Sequence, residues 1–330
     1  MSQVVDAPAP PRVRARPRLP LARLRDVALV PAILVLLVVG GFVDPSFLTP
    51  TNLLNVLQQQ TELGLVVLAE SLILVAGRFD LSLESTVGLA PAIGLLAVTS
   101  LGVPAGWAVP ICLAAGLAIG AFNGLLIVKF RLSAFVLTLG MLIVLRGLLI
   151  GLTGGKSLFD VPASFTYLGA TSWFGVPASV WLTGAAFAVG IVALGYLRHG
   201  RALYAIGGNI DAARAGGIRV DRVVWTVYAL GGLLAALAGL LLVGRLGSVA
   251  ASQGQGMIFT VFAAAVIGGV SLEGGKGTVF GALTGVLVLG LINNILLLAG
   301  VPAQWNQAIN GLIIILALVL ARVTSGKAQD

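Results

Sequence analysis

The chain has 330 residues, of which 58% are hydrophobic and only 10% charged, with a net charge of +8 and a mean hydropathy of +1.06. Soluble globular chains carry about 25% charged residues, so a water-facing surface cannot be built from this one. A bilayer core demands roughly 20 apolar residues per helix and admits only helix bundles or closed barrels; the apolar runs here are continuous rather than alternating, which selects an all-α, polytopic integral membrane helix bundle.

Residues 1–26 hold six arginines against Asp6 and Asp26 among several prolines, the composition of a disordered basic tail. The apolar run Val27–Val43 behind this charge resembles a signal peptide, but Phe42-Val43-Asp44-Pro45 offers no small-residue cleavage pattern. An uncleaved first span is expected. Further spans are expected at about 62–77, 85–101, 106–128, 133–153, 178–197, 223–243, 257–272, 278–299 and 305–322, each near the length a spanning helix needs. That makes ten, within a single transmembrane domain, 27–322, followed by a cytoplasmic tail, 323–330. With both termini in the cytoplasm, seventeen of the 20 Lys and Arg residues fall in cytoplasmic segments, against Lys156 and Arg245 outside and Arg146 within a span. This asymmetry obeys the positive-inside rule; a plasma-membrane location is expected.

Two uncharged stretches, Ser85–Val128 and Gly277–Ala321, are too long for one helix. Each holds a Gly-Val-Pro break, at 102–104 and 300–302, followed by Trp107 or Trp305. Glycine beside proline predicts a tight reversal, with the tryptophan at the interface. Ser-Leu-Glu precedes each hairpin, at 82–84 and 271–273, either as a trace of an internal repeat or as convergent hairpin chemistry. Gly231-Gly232, Gly281, Gly285, Gly290 and Gly311 suit close helix packing, since small residues let transmembrane helices approach.

Catalytic chemistry finds little material. Cys112 and His199 are each the only one of their kind, which excludes a disulfide framework, a Cys or His metal cluster and a Ser-His-Asp set. Gly274-Gly275-Lys276-Gly277-Thr278 lacks the first glycine of a P-loop, so any ATP must be bound by another chain, and no cofactor is expected. The basic charge is not interleaved with aromatics for base stacking, which argues against nucleic acid.

Ionised residues inside spans are the sharper signal, because each costs roughly 2.5–3.5 kcal/mol by insertion scales and faces a partner or a polar cavity. Glu70 and Arg146 either pair structurally or line a polar path for a hydroxylated solute. Asn123, Asn293 and Asn294 are uncharged counterparts, with interhelical hydrogen bonding as their plainer role. Arg78–Ser85 joins two spans at the cytoplasmic side, where Asp80 or Ser82 caps the next helix or marks a broken helix end on the solute route. Arg198–Arg222 is the one long polar, basic segment in the chain, a grip for something in water.

These residues resemble a known family. Asp80-Leu81-Ser82, Asn123–Lys129 followed by Phe135–Met141, Arg146-Gly147 and Thr153-Gly154-Gly155 match, in order and spacing, segments of the ribose/monosaccharide-type ABC importer permeases. Gly268–Gly277 and Gly290–Asn294 continue the match, which covers about 45–322. Gly207-Gly208-Asn209, Asp211-Ala212-Ala213 and Gly217-Ile218, with Arg201, resemble the loop by which such permeases dock on their ATPase. Departures are Arg78 before Asp80 and Glu84 in place of a glycine, so sugar identity does not carry over. Branched-chain amino acid permeases share the broader architecture.

The resemblance implies a transport subunit rather than an enzyme, importing a small hydroxylated solute such as a monosaccharide. The partners it implies are an ABC ATPase subunit with two nucleotide domains, an extracytoplasmic solute-binding protein and a second permease copy. Two other classes compete. An ion-coupled carrier acting alone needs several buried acids and no docking loop, and a membrane enzyme needs clustered catalytic groups. A single short cytoplasmic helix over 201–219, presenting Ala212-Ala213 to the ATPase, and an extracytoplasmic loop over Lys156–Pro177 complete the expectations.

Overall fold

The computed structural model describes residues 29–302 together with 305, 308, 309, 311, 312 and 315; the tail expected at 1–26, most of the 305–322 span and the 323–330 tail lie outside the described residues. The described residues form α1 (Val30–Val43), α2 (Pro50–Val75), α3 (Leu83–Thr99), α4 (Ala108–Phe130), α5 (Ala134–Thr153), α6 (Ala163–Ala170), α7 (Ala178–Tyr196), α8 (Arg198–Gly208), α9 (Ile210–Ala215), α10 (Val220–Leu246), α11 (Met257–Ile267) and α12 (Val279–Leu298). Between α6 and α7 a two-residue hairpin, β1 (Ser172–Trp173) with β2 (Val176–Pro177), pairs Trp173 with Val176. The fold is an all-α membrane bundle. Helices α4, α5, α7, α10 and α12 are long and apolar enough to cross a membrane by themselves.

Helix α2 forms the centre, buried without interruption from Thr61 to Val75. It starts at Pro50 rather than at 62, because the Thr49 hydroxyl accepts from the Asn52 N–H and proline occupies the first turn, two start signals that a hydropathy window ignores. Around it pack α10, α12, α7 and α11, filling the larger apolar core. A second core joins α3, α4 and α10.

A long, tight seam runs between α4 and α10. Gly116, Gly120 and Gly124 recur at four-residue spacing and meet Gly232, Ala236 and Tyr228. A Cβ at 120 would collide with the Tyr228 carbonyl oxygen, and one at 232 with the Gly116 carbonyl. Small residues here replace side-chain packing by backbone packing. Gly281 and Gly285 do the same against Ala264 of α11 and Gly268, which caps it.

The glycine turn expected to open each reversal is present, and most of the return arm of the second, 305–322, lies outside the described residues. Gly102 and Gly300 adopt positive φ, and Val103 and Val301 donate back to Ala97 and Leu296. The expected span at 257–272 is shorter, since α11 stops at Ile267, where Gly268-Gly269 breaks it. Eleven residues rise about 16 Å, roughly half of a bilayer core. The two Ser-Leu-Glu triplets have different fates: Glu84 is buried, whereas Glu273 lies exposed in the 271–277 turn.

Candidate functional site

The stretch between α2 and α3 is folded into the bundle rather than laid on the cytoplasmic surface. Ala76, Asp80, Leu81 and Ser82 are all buried. Buried backbone outside a helix requires local partners, and Asp80 supplies them: its Oδ1 accepts from the Ser82 N–H at 2.9 Å and the Ser82 hydroxyl at 2.5 Å. Asn123 Nδ2 on α4 donates to Ser82 Oγ at 2.8 Å. The Asp80 N–H donates to Glu70 Oε1 on α2 at 3.3 Å, and the Tyr228 hydroxyl on α10 donates to the Phe79 carbonyl at 2.7 Å. Four of the singled-out polar residues, Glu70, Asp80, Ser82 and Asn123, thus form one cluster at the start of α3. Ser82 is the N-cap residue, yet its hydroxyl is turned toward Asp80 and Asn123 rather than onto the helix.

Arg146 belongs elsewhere. The pair considered for Glu70 and Arg146 does not form; Arg146 Nη2 meets Glu84 Oε1 at 3.2 Å, and its Nη1 donates to the Gln253 carbonyl at 3.0 Å. The reason is the end of α11. Its first turn presents free N–H groups and the positive end of the helix dipole, and Glu84 Oε2 accepts from the Ile258 N–H at 3.2 Å. Glu84 therefore has a dipole on one side and a guanidinium on the other. The segment leading to α11 is irregular and reaches inside, with the Gln253 amide donating to the Val87 carbonyl at 2.9 Å. Such backbone is tolerated in a membrane only when enclosed by protein. Sequence reasoning missed Gln253 altogether, and noted Glu84 as part of a Ser-Leu-Glu triplet and as a departure from the family pattern, without assigning it a partner. The available signal was Gln253-Gly254-Gln255-Gly256, a polar, glycine-broken lead into a short apolar run.

A third polar region lies between α2 and α12. Asn294 and Asn52 exchange two hydrogen bonds, of 2.9 and 3.1 Å. Beside this clasp is a cavity of about 110 Å³ whose lining includes Gln59, Gln60, Gly290, Asn293 and Asn294. Gln59 and Gln60 were missed because the glutamine run 58–60 reads as a polar flank ahead of the second span.

The basic segment divides into α8 and α9 instead of one helix. Asn209 separates them: its side chain accepts from the Asp211 and Ala212 N–H groups, and its own N–H returns to the Ala205 carbonyl. Arg201, Gly208, Asn209, Asp211 and Ala212 are exposed. Ala213 is not; it is 5% exposed and packs into the main core, so the surface expected of Ala212-Ala213 is reduced to Ala212. Gly217 turns the chain at positive φ, and Ile218 packs half-buried behind it. Asp211 and Arg214 form an exposed pair at 3.7 Å. Below them a basic cleft of about 320 Å³ collects Arg78, Arg131, Arg214 and Asp221.

Helix α8 is fixed to the bundle by backbone. Gly207 lies so close to the Val75 carbonyl and the Gly275 N–H that no Cβ fits. Gly275 N–H donates to the Val75 carbonyl at 2.9 Å, and the Tyr204 hydroxyl donates to the Gly277 carbonyl at 2.7 Å. A Cβ at Gly274 would stand 2.6 Å from Gly77 Cα. The end of α2, the end of α8 and the turn before α12 thus meet at one glycine junction.

The chain is similar to known proteins over most of its length. A family model described as "Branched-chain amino acid transport system / permease component" matches residues 52–318. The ribose import permease protein RbsC of Escherichia coli strain K12 is 38% identical over 88% of this chain and 91% of its own length. RbsC of Bacillus subtilis strain 168 is 35% identical over 88% of this chain and 91% of its own. The autoinducer 2 import system permease protein LsrC of Enterobacter sp. strain 638 is 35% identical, over 91% of this chain and 87% of its own.

Proposed function

Since the chain belongs to the permease component family of ABC importers and is a multi-pass inner-membrane protein, we propose that it forms the membrane path of an ATP-driven importer for a small, uncharged, hydroxylated solute of monosaccharide size. The names of its relatives, which import ribose and autoinducer 2, support a sugar-like cargo over a branched-chain amino acid. The observation that carries the ATP-driven reading is the glycine junction. It ties the exposed α8–α9 pair, through main-chain contacts, to both α2 and the turn that opens α12.

In this reading an ATPase subunit with two nucleotide domains engages the exposed Arg201, Gly208, Asn209, Asp211 and Ala212. A solute-binding protein docks on the opposite face, over 156–177. A second permease copy completes the complex, and ten spans leave both termini in the cytoplasm. ATP binding then moves α8 and α9, and the junction passes that movement to α2 and α12.

The test is uptake into proteoliposomes holding the permease, its ATPase and its binding protein. Sugar accumulation that requires ATP and both partners supports the proposal. Accumulation by the permease alone, driven by a proton or sodium gradient, refutes it in favour of a self-sufficient carrier. Topology is tested with single cysteines at Ser157 and Arg214 in a Cys112→Ser background; labelling by an impermeant reagent from the same side refutes ten spans.

A further inference from the structure

We propose that the carboxamide pocket between α2 and α12 is a solute subsite on the import path, built for the hydroxyl groups of an uncharged polyol. The proposal rests on the importer reading and adds where and how the solute is held. Its first support is a pair of orphaned acceptors. Gln60 Oε1 and Asn293 Oδ1 are buried with no hydrogen-bond partner, a state that costs about 1–3 kcal/mol for each group. A hydroxyl entering the pocket would supply the donor that each oxygen lacks. Hydroxyls both donate and accept, as carboxamides do.

The second support is the absence of charge: among the described residues no Asp, Glu, Lys, Arg or His lines the cavity. An α-amino acid would bring an ammonium and a carboxylate, each stranded in a site with no ionic partner. A neutral polyol meets no such penalty. The third is the way room is made. A Cβ at Gly290 would stand 2.6 Å from Gln60 Cγ and 2.7 Å from Cδ, so the missing side chain lets Gln60 fold against α12. The cavity of about 110 Å³ far exceeds the roughly 10–15 Å³ that one water needs on the same measure. Exposed Gln59 and Leu297 form its open rim.

Finally, both walls lead to the glycine junction. Helix α2 ends at Val75, whose carbonyl accepts from Gly275, and α12 begins just after that turn at Val279. Displacing the junction changes the separation of the two walls, which is what a subsite that must bind and then release requires.

The experiment is a double-mutant cycle between protein and sugar. The complete transporter is reconstituted with Asn293→Leu or Gln60→Met, substitutions that keep bulk and remove hydrogen bonding. Uptake efficiency is measured for D-ribose, L-arabinose, D-xylose and D-galactose, and for the deoxy derivatives of the best-transported sugar. The expected result is a drop of about tenfold for the parent sugar, equivalent to about 1.4 kcal/mol, with at least one deoxy derivative changed less than about threefold on the same scale. Equal losses for parent and derivatives overturn the subsite and leave a structural role. Wild-type rates in both variants also overturn it, with the importer reading intact. Transport of none of these sugars by the wild-type complex overturns the importer reading for sugars, and the subsite with it. Detergent size-exclusion shows which variant is assembled, and either one carries the test.

Discussion

The seam between α4 and α10 and the seam between α2 and α12 both depend on glycine, to opposite effect. At the first, Gly116, Gly120 and Gly232 bring backbone against backbone and leave no space. At the second, Gly290 admits the Gln60 side chain, and a cavity remains beside it. One wall is a weld and the other an opening. A small residue in a membrane helix only creates room, and the opposing residue decides whether backbone or a polar side chain takes it.

The widest separation between the two seams should come from Gly120→Leu. Its side chain would run into the Tyr228 carbonyl, which belongs to a helix and cannot step aside. Overpacking a tight core costs typically 1–3 kcal/mol and occasionally more; here we expect no folded protein on detergent size-exclusion. A normal monodisperse peak would show that the weld yields.

Arg146→Met is next. It strands Glu84 in the interior, and breaking a buried pair on one side costs about 3–5 kcal/mol. Folded yield should fall severely, and the double variant Glu84→Gln/Arg146→Met should recover most of it. A double variant no better than the single one would mean that Arg146 matters for its contact with Gln253 rather than for Glu84.

At the open seam Gly290→Ala should leave assembly intact, because the group it displaces is the flexible end of Gln60. The importer should lose uptake severalfold while its melting temperature moves little. An equal loss of both would make the two seams alike. The smallest effect belongs to Asn52→Leu, which removes the clasp to Asn294. Hydrogen bonds between membrane helices average about 0.6 kcal/mol, so a drop of only a few degrees in melting temperature is expected.

Much of this fold could be read from hydropathy, since every apolar run from 27–43 to 278–299 contains a helix. Hydropathy erred where local chemistry sets the ends. Thr49-Pro50 starts α2 early and Gly268-Gly269 stops α11 short. Asp80, Ser82 and Asn123 stood out because polar residues among apolar ones need partners, and they found one another. The partner of Arg146 could not be deduced. Glu84 lies 62 positions away in sequence, and its attraction to Arg146 depends on a helix start at Met257 that only the folded bundle brings near. Gln60 was hidden for another reason: on a helix that is buried only from its middle onward, a run of glutamines looks like solvent-facing flank.

The shortness of α11 bears on how the protein is made. A nascent segment enters the bilayer when enough consecutive apolar residues pass the insertion machinery, and Met257–Ile267 supplies only half a crossing. Its lead-in carries Gln253, which is stable at depth only once Val87 and Arg146 are there to receive it. Residues 247–267 are therefore expected to settle after α3, α5 and α10, with α12 closing against α11. The chain order of synthesis matches that need, with Glu84, Val87 and Arg146 all emerging before the segment.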